Sequence, residues 1–321
     1  MEKLSKKINL SDITAITNGD YLFLGTSEDV KIDNISIQGE ENVGTLDWCS
    51  GETEEAILGY CTQASAGLIL VKKVEQFEML KSQEKLPNLL LVENPKLVYA
   101  KVYEQYKVSS VPSVSSSALI NEKATLGANL SVGDHSVIGN VRLGNNVKIE
   151  NNVVIYDGVS IGNNVKIGSN TVIGSEGFGY IEDGNNVLVK FPHIASVIIE
   201  NDVEIGSNTS IDRGALKHTT IRTGVKIDNL VHIAHNVEIG KHSHIIANSM
   251  IAGSVKIGER VWVAPSSNIL EHLHIGDDVK IGVGSVVTKN IPSGETWTGA
   301  PARELGSFLK TQRALKGLID L

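Results

Sequence analysis

Thr220-Ile-Arg-Thr-Gly-Val-Lys-Ile-Asp-Asn-Leu-Val-His-Ile-Ala-His-Asn-Val-Glu-Ile-Gly240 places isoleucine at every sixth position: Ile221, Ile227, Ile233 and Ile239. The beat runs on through Ile245, Ile251, Ile257, Val263, Ile269, Ile275, Ile281 and Val287, twelve aliphatic residues in succession. Upstream, Leu143, Ile149, Ile155, Ile161, Ile167 and Ile173 keep the same spacing. A helix would repeat its apolar face every three to four residues and a simple strand every two, so neither explains a period of six. A triangular coil does. Each flat side is one short strand with its aliphatic residue inward, and three sides, or 18 residues, close one turn. Stacked turns pair as parallel strands around an aliphatic column that no single repeat could bury alone. Gly beside the inward residue (Ile161-Gly162, Ile205-Gly206, Ile239-Gly240, Ile257-Gly258), with the frequent Asn, supplies tight corners where positive φ costs little. The expected class is mainly β, a left-handed parallel β-helix of hexapeptide repeats spanning 118–301.

Working outward, two interruptions break the beat. Residues 175–196 include Gly177-Phe178-Gly179-Tyr180 and Lys190-Phe-Pro-His193, and Asp212-Arg213-Gly214-Ala215 opens a smaller irregularity. Insertions in a solenoid become loops on one face, commonly the binding face. Beyond Pro301, residues 302–321 predict one short amphipathic helix. On the other side, 109–117 is Ser- and Val-rich with one Pro and predicts a linker. Residues 1–108 predict an α/β domain. The apolar runs Gly67–Val71 and Asn88–Val92 suit buried strands, and Thr53–Gln63 and Lys96–Tyr106 suit helices.

A chain of 321 residues has room for two such domains. The formal net charge of -8 argues against a general nucleic-acid binder. Cys49 and Cys61 are the only cysteines, too few for a disulfide scaffold, which points to a reducing compartment. The start, Met1 to Asn9, is mixed and charged without an apolar signal core, and no stretch nears the roughly 18 apolar residues of a membrane span. The expected location is cytoplasmic.

In such a coil, positions 18 apart lie above one another, about 5 Å apart. His235 and Gly253 are 18 apart and His272 is 19 further on, so an imidazole, an approachable backbone N–H and a second imidazole line one edge. Acyl transfer from a thioester to an amine needs a base and an oxyanion donor. Histidine suits the first because it titrates near neutrality, and a preorganised N–H suits the second. His135, His218, His242, His244 and His274 read instead as solvated strand residues, and His232 as lining the cleft. The number of histidines also admits a zinc reading, as in trimeric β-helix carbonic anhydrases. The candidate ligands do not assemble at one level, and no metal site is assigned.

Longer stretches carry a resemblance. Ser210-Ile-Asp-Arg-Gly-Ala215, Lys226-Ile-Asp-Asn-Leu230, Ile233-Ala-His-Asn-Val237 and Ile251-Ala-Gly-Ser254 resemble the UDP-3-O-(3-hydroxyacyl)glucosamine N-acyltransferase family of lipid A biosynthesis. Gly174-Ser-Glu-Gly-Phe-Gly-Tyr180 and Lys190-Phe-Pro192 match that family's inserted loop, and Glu93-Asn-Pro-Lys-Leu97 the end of its nucleotide-binding domain. The resemblance implies His235 as general base, the Gly253 amide as oxyanion donor and His272 in support. It implies a homotrimer with sites between subunits. Trp48 becomes a stacking platform for the nucleotide base, and Phe178, Tyr180, His193, Asp212, Arg213, Asn229 and Asn236 become substrate contacts. Val286 falls in the family's acyl-chain region. No bound cofactor is expected; the phosphopantetheine-linked acyl donor, on acyl carrier protein or coenzyme A, is a co-substrate.

The chain departs from that pattern in three places. Gly51 and Glu54 stand where the family has an asparagine and a tyrosine beside the aromatic, and the C-terminal tail is short. Trp297-Thr-Gly-Ala-Pro-Ala-Arg303 looks more like coenzyme A-dependent acetyltransferases of nucleotide-linked amino sugars. The reading is an N-acyltransferase on a nucleotide-activated amino sugar, with a coenzyme A-dependent surface-glycan enzyme on a dTDP- or UDP-linked sugar as the alternative. A non-enzymatic β-helix scaffold is the remaining one.

Overall fold

The computed structural model describes residues 2–25, 29–36, 41–75, 77–83, 86–108 and 111–319. The chain divides between Val111 and Pro112 into two compact units.

The second unit is a left-handed parallel β-helix. Three parallel faces are visited in turn. The first face holds nine strands from Leu119–Ile120 to Val286–Val287, and the second eight from Thr125–Leu126 to His274–Ile275. The third runs from Ser131–Val132 to Thr296–Thr298 and ends in Arg303–Glu304. Most strands are two residues long, one outward and one inward. The inward residue of each coil pairs with the next, as in Ile211–Ile233–Ile251–Ile269–Val287 down the first face. These inward side chains are essentially unexposed and form one continuous column, which is the burial that the six-residue beat anticipates. Ser243 and Ser267 also turn inward, and their hydroxyls donate to the Gly258 and Gly282 carbonyls at 2.9 and 3.0 Å.

The corners explain the asparagines. Asn129, Asn146, Asn164 and Asp202 all have φ between 56° and 59°, a region that Asn and Asp tolerate better than most residues. Each amide then donates to the side chain one coil on: Asn129 to Asn146, Asn146 to Asn164, and Asn164 to Asp202, each at 2.9 Å. A residue chosen for its backbone thus also ties adjacent coils together.

Apart from a local irregularity between Ile173 and Ser175, the register is the same on either side of the interruptions. Ser160 pairs with Ile198 and Ile198 with Thr220, which makes two coils of 38 and 22 residues between positions stacked on the same face. The excess of the first coil leaves as an antiparallel hairpin, Tyr180–Glu182 against Leu188–Lys190.

At the N-terminal end of the coil, Val114 already bridges to Val132 and Ser115 donates to the Val132 carbonyl, inside the stretch read as a linker. Ser109 and Ser110 of that stretch lie outside the described residues. At the other end the helix spans Leu305–Ile319, starting later than residue 302. Arg303 and Glu304 are used first, pairing with Thr298 and Trp297, and the Glu304 carboxylate accepts the Gly306 and Ser307 N–H groups that open the helix. Residues 320 and 321 lie outside the description.

The first unit is an α/β sandwich. Its six-stranded sheet runs Glu2–Asn9, Lys31–Ile35, Thr45–Trp48, Leu68–Lys72, Asn88–Val92, Leu22–Leu24 in spatial order, parallel in the middle and antiparallel at both edges. Helices Glu54–Cys61 and Pro95–Tyr106 fall where the apolar patterning puts them. The central strands Leu68–Lys72 and Asn88–Val92 are buried on both faces, so their sequences are continuous apolar runs. Among the described residues no helix is long and apolar enough to cross a membrane.

Candidate active site

The corner between the first and second faces carries the chemistry. Ile233 and Ile251 are partners, so His235 and Gly253, each two residues further on, occupy the same corner position on successive coils. A Cβ built on Gly253 would stand 2.7 Å from His235 Cε1 and 2.9 Å from its Nε2, so the imidazole lies directly over this glycine. The same corner position elsewhere has a capping side chain: Asn140 donates its N–H to Asp157 Oδ1 at 2.6 Å. There the cap comes from the residue one coil on; Glu271 holds that place for Gly253, yet among the described residues the Gly253 N–H meets no acceptor. His272 lies one residue off this column. It stacks with Asn236 and Ser254 in the left-handed corner position, with φ of 60°, 62° and 61°, and its N–H donates to the Gly253 carbonyl at 3.0 Å.

Both interruptions converge on His235. Arg213 lies one coil before it in the same column, through the Ile211–Ile233 pairing, and reaches back to donate from Nη2 to the Asp157 carbonyl at 2.7 Å. Asp212 is buried, accepts from the Ser175 hydroxyl at 3.1 Å and lies 3.7 Å from His232 Nε2. Burial pushes the Asp212 carboxyl up from the usual range, while His232, Ser175, His235 and His193 pull it back. From the hairpin loop, the buried His193 packs edge-on against His235 with ring centroids 4.9 Å apart. Phe178 and Tyr180 are exposed, with rings 5.1 Å apart, and the Phe178 backbone faces the His235 ring.

Burial and then His193 hold the His235 imidazole below its ordinary range; His272 adds to this, while Asp212 and the Phe178 backbone oppose it. A neutral ring at physiological pH is what a base requires. Asn236 fixes the tautomer. Its Oδ1 accepts from the Ala215 N–H at 2.7 Å, which turns its NH2 toward His235 Nδ1 at 3.2 Å. An NH2 group can only donate, so the neutral ring carries its proton on Nε2. Whichever nitrogen takes a substrate proton, this Asn236 bond must first be exchanged.

Other expected residues lie elsewhere. Asn229 sits at the preceding corner, six residues and one face away from His235, and its Oδ1 accepts the Ser207 N–H at 2.7 Å. Val286 is half-buried on the first face, three coils on from His232 through Met250 and Asn268. In the first unit, Trp48 is partly buried against the core, with Lys96 Nζ 5.9 Å from its ring, beside a cavity of about 270 Å³ that Gly51, Glu52, Lys72 and Asn94 also line. A cavity of about 500 Å³ opens on the third face of the coil between Lys148, Lys166, Glu204, Lys226 and His244 and is lined by no expected site residue. Sequence reasoning missed Gly177, Ser175 and the pairing of His232 with Asp212. Among the described residues no three His, Cys, Asp or Glu side chains form a metal-holding group.

The repeat and the fold recur in known proteins. The model for "Bacterial transferase hexapeptide (six repeats)" matches residues 140–175 and 254–289, and that for "Hexapeptide repeat of succinyl-transferase" matches 120–157. A UDP-3-O-acylglucosamine N-acyltransferase of Methylobacterium sp. (strain 4-46) is 38% identical over 143 residues, which is 44% of this chain and 40% of that protein. The protein of that name from Methylorubrum extorquens (strain PA1) is 36% identical over 145 residues, 45% of this chain and 41% of its own. The chain thus matches about two fifths of the length of these relatives. Among solved structures, the UDP-N-acetylglucosamine acyltransferase of Bacteroides fragilis 9343 superposes with a TM-score of 0.54 at 26% identity, covering 60% of this chain and 73% of that one. The coil is a β-helix whose hexapeptide repeats match those of the bacterial transferase model in part, and it is similar over nearly half of the chain to UDP-3-O-acylglucosamine N-acyltransferases.

Proposed function

We propose that this protein is an N-acyltransferase that moves an acyl group from a phosphopantetheine thioester to the amine of a nucleotide-activated amino sugar, with UDP-3-O-(3-hydroxyacyl)glucosamine as the acceptor. The observation that carries the proposal is the His235 imidazole lying over Gly253, whose N–H is uncommitted. The amine nitrogen attacks the thioester carbonyl and the oxyanion forms against the Gly253 N–H. His235 takes the amine proton as the tetrahedral adduct forms. Collapse of the adduct expels the thiolate, which takes that proton back from the imidazolium, so amide and free thiol leave and His235 returns neutral. The Asn236 hydrogen bond at 3.2 Å is long and costs little to exchange, about 0.5–1.5 kcal/mol.

The α/β unit holds the nucleotide on Trp48, and Asp212, Arg213, His193, Phe178 and Tyr180 border the acceptor. Val286 limits the acyl chain from further along the first face. A homotrimer fits two observations: Phe178 is 84% exposed beside the base, and Asn229 lies at a different corner from His235, where it can serve a neighbouring subunit. Acyl carrier protein is the first donor to test. The small residue at Gly51 beside Trp48 favours a second reading, a coenzyme A-dependent enzyme with another base on its sugar nucleotide.

The test is release of free thiol by the full chain, with UDP-3-O-acylglucosamine and either hydroxyacyl carrier protein or acyl-coenzyme A. His235→Ala should lower kcat by about 10²–10⁴ while the oligomer stays intact. Unchanged turnover would remove His235 from the mechanism.

A further inference from the structure

We propose that His193, carried in by the inserted hairpin, is a positioning residue for His235: a second, buried imidazole that seats the base over Gly253. This rests on the reading of His235 as the base. His193 is 3% exposed, and its ring meets His235 edge-on at 4.9 Å and 71°. Its Nδ1 lies 2.9 Å from the Phe191 carbonyl. A carbonyl only accepts, so Nδ1 carries a hydrogen and the neutral ring leaves a lone pair on Nε2. That Nε2 is buried and meets no partner among the described residues.

The loop is built to admit this pair. A Cβ on Gly177 would fall 2.8 Å from His193 Nε2 and 2.9 Å from His235 Cβ, and one on Gly179 would fall 3.0 Å from His193 Cε1. The glycines of Gly177-Phe178-Gly179 therefore mark where two rings must pass the backbone. His235 is confined by Gly253 beneath it and by His193 and Gly177 beside it. The charged and titratable groups facing His235 are His193 from the loop, Asp212 from the preceding coil and His272 from the following corner. His193 is the one in ring contact, and of the two that disfavour a proton on His235 it contributes the more.

The experiment is a histidine NMR titration of the full chain, with resonances assigned by single substitution, alongside the pH dependence of kcat/KM. His193→Asn keeps an amide donor at the Nδ1 position for the Phe191 carbonyl but carries no charge, and His193→Phe keeps the ring. In either variant the His235 midpoint should rise by roughly half a unit or more, because the ring that lies against His235 and disfavours a proton on it is gone or changed. The acid limb of the kcat/KM profile should move up with it, with kcat reduced more than KM is changed. A His235 midpoint within about 0.1 unit of wild type in a folded variant overturns the proposal. A purely space-filling His193 would lower the melting temperature without moving that midpoint. The titration needs no turnover, so it is independent of the base reading: activity surviving in His235→Ala sinks that reading, while an unmoved midpoint sinks this one.

Discussion

Replacing Gly253 with alanine separates the imidazole from the amide beneath it. Gly253 does not have positive φ, so alanine suits the backbone and keeps the N–H. The added methyl would stand 2.7 Å from His235 Cε1 and 2.9 Å from Nε2, where carbon contacts settle near 3.5–4 Å. The ring must therefore move by roughly 1 Å. It cannot move freely, because His193 and Asn236 hold its other sides. A displacement of about 1 Å in a reacting group costs on the order of 10²-fold in rate, so kcat/KM should fall by about that factor. Overpacking at a partly open corner should cost stability by no more than about 1–3 kcal/mol. Thiol release gives the first quantity and urea unfolding the second. A Gly253→Ala enzyme within twofold of wild-type activity would show that His235 does not work from its place over this glycine, and the proposed mechanism would fall with it.

Two further outcomes follow from the same coordinates. Ile251 is fully buried in the aliphatic column between Ile233 and Ile269, so Ile251→Ala should cost about 2–5 kcal/mol; a loss under 1 kcal/mol in urea unfolding would show that the column can collapse around the gap. His235 and His244 are both held below their ordinary range, chiefly by burial, so between their folded midpoints and about 6.5 the unfolded chain binds more protons and stability rises with pH. Asp212, pushed up by burial, acts in the opposite sense above the usual carboxylate range. The melting temperature should therefore drop as pH falls below about 6.5 toward the folded midpoints, less so in a His235→Ala, His244→Ala double variant; equal slopes in both would contradict the burial argument.

What the sequence disclosed followed from counting. Inward Ile and Val recur every six residues because every coil buries the same position, so the fold and the stacking of His235 on Gly253 could be read from spacing alone. Where the count fails, so does the reading. His232 and Asp212 are 20 apart because that coil has 22 residues, and their pairing matches no multiple of six. His193 reaches His235 from a hairpin outside the period. Asn229, six residues before His235, lies one face away, as the period requires. The helical ends were less legible because Glu304 is claimed first by a strand pair and then by the helix opening.

The two long coils show how such a molecule can acquire new parts. Strand pairing resumes in register after both interruptions, so the inserted chain adds nothing to and subtracts nothing from the column beneath it. The scaffold and the loop that presses on His235 are thus separable inheritances. Residues 175–196 can lengthen, shorten or be exchanged for a relative's segment while every inward isoleucine keeps its neighbour. A change of acceptor or of donor therefore has an inexpensive route open to it, by remodelling an outgrowth at one corner, whereas a change anywhere in the column must be matched on the coils to either side.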